Sequence, residues 1–281
     1  YPCPLHSDCW GFLPKHNVTT LYRTPLKKTL PMIRSGVCDL RDLPHDCPLG
    51  NRAEIQRLAV LYDTPHINID GIRDFLDGLS FPQYHLDFET YQMAIPPFDG
   101  ARPYCQIPFQ FSLHIWESFD SDPKHIEFLA EGTNDPRPAL LEALRENIGP
   151  KGDIIVYNQA FEIGRLRECA EAFPEYRMFV KDACARIKDL LVPFRKFLYY
   201  HPDQLGSASI KKVLPVLVPE LSYSEMEIGD GGTASSEYVR VTFGDVEKTD
   251  RHRVRQALLK YCELDTLAMI KIIQALKSHV A

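Results

Sequence analysis

Apolar residues recur at helical spacing in "NRAEIQRLAVLYD" (Ile55, Leu58, Ala59, Tyr62), and "IDGIRDFLDGL" predicts a second, shorter helix. Upstream of them, residues 1–50 carry no sustained period and are rich in Pro, Cys and His, which predicts a loop-rich start. From Phe81 the rhythm changes. "QYHLDFET" reads as a strand, "QIPFQFSLHIWESF" alternates over its length, and "KHIEFLA" makes a third strand after the turn "DSDP". "DPRPALLEALRENIG" predicts a helix with Asp135 as cap, Pro136 at its first position and Gly149 at its end.

"DIIVYN" is a short continuous apolar strand, of the kind covered on both faces. A helix over "QAFEIGRLRECAEAF", a strand at "RMFVKD", a helix over "CARIKDLLVPF" and a short helix over "SASIKKVLPVL" are expected next. The polar, Gly-rich "EIGDGGTASSEY" predicts a loop, and "VRQALLKYCELDTLAMIKIIQALKSH" a long closing helix. Three strands able to form a meander, then strands alternating with helices, predict an α/β fold around a mixed sheet. The shift in composition separates a cysteine-containing loop and helical segment, 1–78, from a larger domain, 79–281.

The first strand of that domain carries acids. Side chains two apart on a strand share a face, so Asp87 and Glu89 stand side by side while Leu86 and Phe88 turn towards a core. Carboxylates that close repel, so the stretch is a strand end in water, a pair of ion pairs to Lys or Arg, or a metal site. In "IIVYNQAFEIGRL" a strand ends at Asn158 and the next helix carries Glu162 in its first turn. The helix dipole favours an acid there in any protein. The same place is also the carboxyl end of a central strand, where open α/β sheets build their sites. In the last helix Tyr261 and Asp265 are four apart and share a face with Ala257, Leu258 and Ala268. Asp265 thus sits at the edge of a buried stripe, whereas Glu263 turns away and reads as a solvated charge.

The order of these motifs (DxE on the first core strand, N-x-x-F-E at a strand–helix junction, Y-x-x-x-D on the last helix) resembles the DnaQ-like, or DEDD, 3′–5′ exonucleases of the tyrosine type. The resemblance covers about residues 81–281, and "GSASIKKVLP" is similar to an S-L-K helix that many of those nucleases carry. It implies a ribonuclease H-like mixed sheet of about five strands, with Asp87 and Glu89 on the central one. It also implies Asp87, Glu89, Glu162 and Asp265 as ligands of two Mg²⁺ or Mn²⁺ ions, with Tyr261 orienting the attacking water. The substrate would be single-stranded DNA or RNA. The chain departs from the family at Glu162, where Asp is usual; one extra methylene moves the carboxylate by about a bond length. Hard cations take carboxylate oxygens, and two of them about 4 Å apart suit in-line phosphodiester cleavage. The alternative is a catalytically degenerate exonuclease fold that binds nucleic acid or a protein without cutting. A phosphoesterase for small nucleotides is a further rival.

A polyanion reaching an acidic site needs cations nearby, and Arg251, Arg253, Arg255, Lys260, Lys211 and Lys212 are candidates, a minority of which would contact phosphate. Phe98, Tyr104 and Phe109 follow Glu89 in a Pro- and aromatic-rich stretch and would either stack on bases or pack a long loop. At the start of the chain Cys3 and Cys9 have the C-x5-C spacing of the tail of an iron–sulfur motif, and "IRSGVCDLRDLP" resembles an element near RecB-like nuclease domains. That resemblance implies an upstream nuclease domain supplying further ligands of an iron–sulfur cluster; zinc is the other cofactor such cysteines take, and plain free thiols are the bland alternative. A chain that begins at Tyr1 rather than Met fits a piece of something longer.

Composition adds limits. The net charge of −6 argues against coating nucleic acid by bulk electrostatics. Of the eight cysteines, Cys105, Cys169, Cys184 and Cys262 sit singly in apolar or helical surroundings, while Cys3, Cys9, Cys38 and Cys47 crowd the start. The first four predict reduced thiols and a cytoplasmic setting, and no apolar run suggests a membrane partner.

Overall fold

The computed structural model describes residues 3–280. Its first elements are helices α1 (His6–Trp10), α2 (Leu26–Arg34) and α3 (Asn51–Tyr62), strand β1 (His66–Ile67) and helix α4 (Ile69–Asp77). Strands β2 (Gln83–Tyr91), β3 (Ile107–Trp116) and β4 (Lys124–Leu129) follow, then helix α5 (Arg137–Asn147), strand β5 (Asp153–Val156), helices α6 (Gln159–Ala172) and α7 (Arg177–Ala185), and strand β6 (Ile187–Asp189). The last elements are α8 (Val192–Arg195), β7 (Tyr199–Tyr200), α9 (Ile210–Leu217), α10 (Gly231–Phe243) and α11 (Lys248–Ser278). No helix among the described residues is long and apolar enough to cross a membrane.

The chain divides into two compact units. The smaller takes the chain up to Phe75, Leu191–Pro219 and the residues from Leu276 on; the larger takes Leu76–Leu190 and Glu220–Ala275. Within the smaller unit β1 pairs with β7, and Phe197 and Tyr200 cluster with Ala59, with Tyr22 and Ile55 packed against them. Gln56 hydrogen-bonds through its side chain to Tyr22 N and Thr20 O, closing backbone groups that a loop would otherwise leave open.

The larger unit is an α/β structure around a five-stranded mixed sheet of order β4-β3-β2-β5-β6. β2, β3 and β4 form the antiparallel meander, and β5 and β6 run parallel to β2, which is therefore central. The two faces of β2 differ as strand parity requires. Tyr84, Leu86 and Phe88 join Phe111, Leu113, Ile154 and Val156 in an apolar core closed by α5, α6 and α7. His85, Asp87 and Glu89 face the other way, paired across the ladder with His114, Ser112 and Gln110. α11 covers that face: Gln110 Nε2 donates to Leu258 O at 2.8 Å, and Ser112 Oγ lies 2.6 Å from Thr266 Oγ1.

Beyond Glu89 the register shifts from Glu89↔Gln110 to Thr90↔Pro108, leaving Phe109 as the extra residue of a β-bulge. The bulge turns Phe109 into the second core, where its ring stacks on Tyr238 at 3.8 Å beside Tyr91. Phe109 is thus a packing residue rather than a base-stacking one. Phe98 packs against the same core, and Tyr104 is exposed.

Several expected elements differ. "RMFVKD" is helix α7, because Tyr176, Val180 and Ala183 are buried at helical spacing while Met178 points to solvent. "CARIKDLLVPF" is not one helix: α7 ends at Ala185, and Ile187–Asp189 pairs with β5 as an edge strand. Much of the expected Gly-rich loop is α10, capped by Asp230 accepting from Thr233 N at 2.9 Å and anchored by buried Ala234, Tyr238 and Val241. α5 starts one residue late, at Arg137, whose N donates to Asp135 at 3.1 Å. Residues 1–50 hold the nine-residue helix α2, with Pro31 inside it.

Gly152 sets the approach of β5 to β2. Its φ is +87°, and a Cβ there would stand 1.9 Å from Pro82 O, against which Asp153 N is hydrogen-bonded. Gly152→Ala is expected to cost about 2 kcal/mol or more, lowering the melting temperature by roughly 4–8 °C in a thermal scan. A variant melting like the parent would show that this contact is not rigid.

Candidate metal centre

The acidic residues come from four elements of the larger unit. β2 presents Asp87 and Glu89 on one face, and α11 lays Asp265 over that face. One carboxylate oxygen from each of the three lies within 4.8 Å of the others. Glu89 and Asp265 are 7% and 8% exposed, and Asp87 is half-buried. Charges held this close in a partly dry setting repel strongly, so the trio is the kind of donor set that a hard divalent cation relieves.

Residues around the trio are shaped to it. Tyr261 is buried one turn before Asp265, and its phenol is pushed well above its ordinary value by burial and by the charges of Asp265, Glu89 and Asp87. Tyr223 donates to Asp265 Oδ1 at 2.6 Å, with its ring edge-on to that of Tyr261. Cys262 is fully buried with Sγ 3.7 Å from Asp87 Oδ2; burial, then the three carboxylates, hold its thiol protonated. The start of α10 also comes close, because a Cβ on Gly231 would lie 3.3 Å from Glu89 Oε2. A helix N-terminus beside a carboxylate is electrostatically favourable.

Glu162 is not part of the trio. It sits in the first turn of α6, behind Asn158, which takes the left-handed conformation at φ +86° and donates its N–H to Asp189 Oδ1 at 2.9 Å. Glu162 is 1% exposed and its Oε2 has no hydrogen-bond partner. Burial and then the Asp87 charge push its carboxyl up to about 9. The pressure from Asp87 places Glu162 electrostatically next to the trio, and Asp189 on β6 adds to it. β2, β5 and β6 are parallel, so Asp87, Glu162 and Asp189 collect at one end of the sheet.

Asp189, Tyr223, Cys262, Ser112 and Gly231 were not among the sequence candidates. Only the spacing of Cys262, three before Asp265 in the last helix, offered a signal. Glu263, expected as a solvated charge, stands 3.7 Å from His125 Nδ1. Among the candidate cations, Arg255 donates to Leu129 O and Ala130 O, and Arg253 pairs with Glu227 and Asp250. Arg251 and Lys260 are exposed on α11, while Lys211 and Lys212 belong to the smaller unit. Cys3 and Cys9 are exposed free thiols, and no cysteine joins a cluster of three or more metal-ligating groups among the described residues.

Glu162 yields a pH dependence of known sign. Its folded value lies above its unfolded one, so the folded state holds the extra proton and stability falls as pH rises from about 4.5 towards 9. In metal-free protein at pH 8, Glu162→Gln should therefore be more stable than the parent by at least about 1 kcal/mol, roughly 2–4 °C in melting temperature. The gap should close near pH 4. Equal melting temperatures at pH 8 would mean that Glu162 is hydrated or already paired.

Residues 84–209 match a family described as Domain of unknown function (DUF2779). That span, under half of the chain, holds Asp87, Glu89, Glu162 and Asp189 but ends before Tyr223, Tyr261 and Asp265. The chain is similar to the uncharacterized protein UU173 of Ureaplasma parvum serovar 3, 28% identical over 75% of this chain and 34% of that protein. It is also similar to the uncharacterized MG366 homolog of Mycoplasma pneumoniae, 26% identical over 70% of this chain and 32% of that protein. Uncharacterized protein MG366 of Mycoplasma genitalium is 26% identical over 67% of this chain and 31% of its own length. The chain thus spans about a third of the length of these relatives. No solved structure matches it.

Proposed function

We propose that the larger unit is a ribonuclease H-like, metal-dependent nuclease domain, acting as a 3′–5′ exonuclease on single-stranded DNA or RNA. The observation that carries the reading is the carboxylate trio Asp87, Glu89 and Asp265, drawn from the central strand and the last helix to within 4.8 Å. The strand order, with three antiparallel strands and two parallel to the first, supports it, as does the position of Tyr261 on the helix that brings Asp265. Polarity and substrate class rest on the resemblance of the motifs to DnaQ-like exonucleases.

In this reading Asp87, Glu89 and Asp265 hold Mg²⁺ or Mn²⁺, with Glu162 joining once it loses its proton. Bound cations would supply an activated water and charge stabilisation on the phosphoryl oxygens. The protein's own part is positional. The Tyr223 hydrogen bond fixes the rotamer of Asp265. The Tyr261 phenol, held protonated by its surroundings, orients a water through its oxygen and does not act as a base. One observation favours the inert alternative, a domain that binds nucleic acid or protein without cutting. Glu162 lies outside the trio, buried and with no partner on Oε2, a setting that raises its carboxyl and would weaken a second cation site.

The test pairs calorimetric Mn²⁺ titration with degradation of 5′-labelled single-stranded DNA and RNA in Mg²⁺ or Mn²⁺. Shortening from the 3′ end is expected, and Asp87→Ala should remove Mn²⁺ binding and cut the rate on the order of a thousandfold, in keeping with several kcal/mol of lost charge stabilisation. Absence of Mn²⁺ binding, or Mn²⁺ binding without cleavage of any polymer, would overturn the nuclease reading and leave the non-cutting one.

A further inference from the structure

The sheet face under α11 holds a second donor cluster that the nuclease reading does not use. His114 of β3, His125 of β4 and Glu263 of α11 each offer one ligand atom, and those atoms lie within 4.8 Å of one another. His114 and His125 are ladder partners whose rings stack with centroids 4.5 Å apart. His125 Nδ1 faces Glu263 Oε1 at 3.7 Å, too long for a hydrogen bond.

Hydrogen bonds behind the rings decide where their protons sit. The backbone carbonyl of Glu263 can only accept, and Thr266 Oγ1 donates to it at 3.1 Å. Having one proton, Thr266 then accepts from Ser112 Oγ at 2.6 Å and from His114 Nδ1 at 2.8 Å. Ser112 has used its own proton in turn, so it accepts from His125 Nε2 at 2.9 Å. With Thr266 donating to the Glu263 carbonyl, this chain assigns protons to His114 Nδ1 and His125 Nε2 and leaves lone pairs on His114 Nε2 and His125 Nδ1. Burial, reinforced by the neighbouring His125, keeps His114 neutral, with its value lowered to about 4.

Two imidazole lone pairs and a carboxylate, with a hydroxyl network orienting the rings from behind, make a borderline-soft donor set unlike the all-oxygen trio. We propose that His114, His125 and Glu263 form a binding site for a Zn²⁺-type transition-metal cation, its fourth position open to solvent beside half-exposed Glu263. Such an ion ties edge strand β4 to β3 and α11. It supplies the positive charge that reconciles His125 Nδ1 with the carboxylate it faces. The site stands whether or not the acidic trio cleaves anything.

The test uses the whole chain, stripped of metal by a chelator and titrated with Zn²⁺ or Co²⁺ alone. Co²⁺ should bind with the visible ligand-field bands of a four-coordinate nitrogen and oxygen site and without sulfur-to-cobalt absorption. His125→Ala, Glu263→Gln and Thr266→Val should each weaken Zn²⁺ binding by about 10- to 100-fold, the last by freeing the rings, whereas Asp87→Asn should leave it intact. His125 and Glu263 are only part-buried, so their variants should keep the parent circular dichroism spectrum. Sulfur-to-cobalt absorption would place the ion on cysteines, and loss of Zn²⁺ binding in Asp87→Asn would place it on the acidic trio. Either result overturns the proposal, as does Zn²⁺ affinity unchanged by His125→Ala and Glu263→Gln.

Discussion

A sheet whose central strand is apolar on one side and acidic on the other can fold only if something covers the acidic side without stripping its carboxylates of partners. α11 meets that constraint here. It lays Leu258, Cys262, Asp265 and Thr266 across β2 and β3, where Leu258 O meets Gln110, Cys262 meets Asp87 and Thr266 meets Ser112. Hydrogen bonds from Gln110 to Leu258 and between Ser112 and Thr266 cross this layer, and its like charges gather at the trio. The opposite face needs no such arrangement. There, ordinary close packing of Leu, Ile and Phe against three helices supplies the stability that tolerates the strained one.

Much of this was legible in the sequence because strand parity is strict. Leu86 and Phe88 could not face the core without sending Asp87 and Glu89 the other way, and the four-residue spacing of Tyr261 and Asp265 put both on one helical face. What was not legible depended on partners remote in the chain. The three residues of β6 are too few to show a period, and only pairing with β5 makes them a strand. Two glycines at the start of α10 mask a helix whose evidence is a cap at Asp230 and the burial of Tyr238. Tyr223 lies in irregular chain and gains its meaning only by reaching Asp265 across 42 residues. Ser112 and His114 read as unremarkable polar positions of an alternating strand until the register sets them against Asp87 and His85.

The same layer separates two kinds of donor. Towards the carboxyl ends of β2, β5 and β6 the groups are carboxylates and phenols; one strand over, on β3 and β4, they are imidazoles and hydroxyls. Ser112 links them, since it is the ladder partner of Asp87 and a member of the hydroxyl chain that orients both histidines. Thr266 plays the matching part on α11, next in sequence to Asp265. Changes at either residue therefore reach both clusters.

The smaller unit is assembled from three separate stretches of chain, and this limits how the protein can be dissected. A fragment starting near residue 79 would not free the larger unit cleanly. It would still carry Leu191–Pro219, with Phe197 and Tyr200 deprived of the Ala59, Tyr22 and Ile55 side chains that cover them, and with β7 lacking its only ladder partner among the described residues. Such a fragment would display bare aromatic surface and an open strand edge, the ingredients of self-association. An insoluble truncation product would thus report on the interleaved chain path and not on the foldability of the sheet.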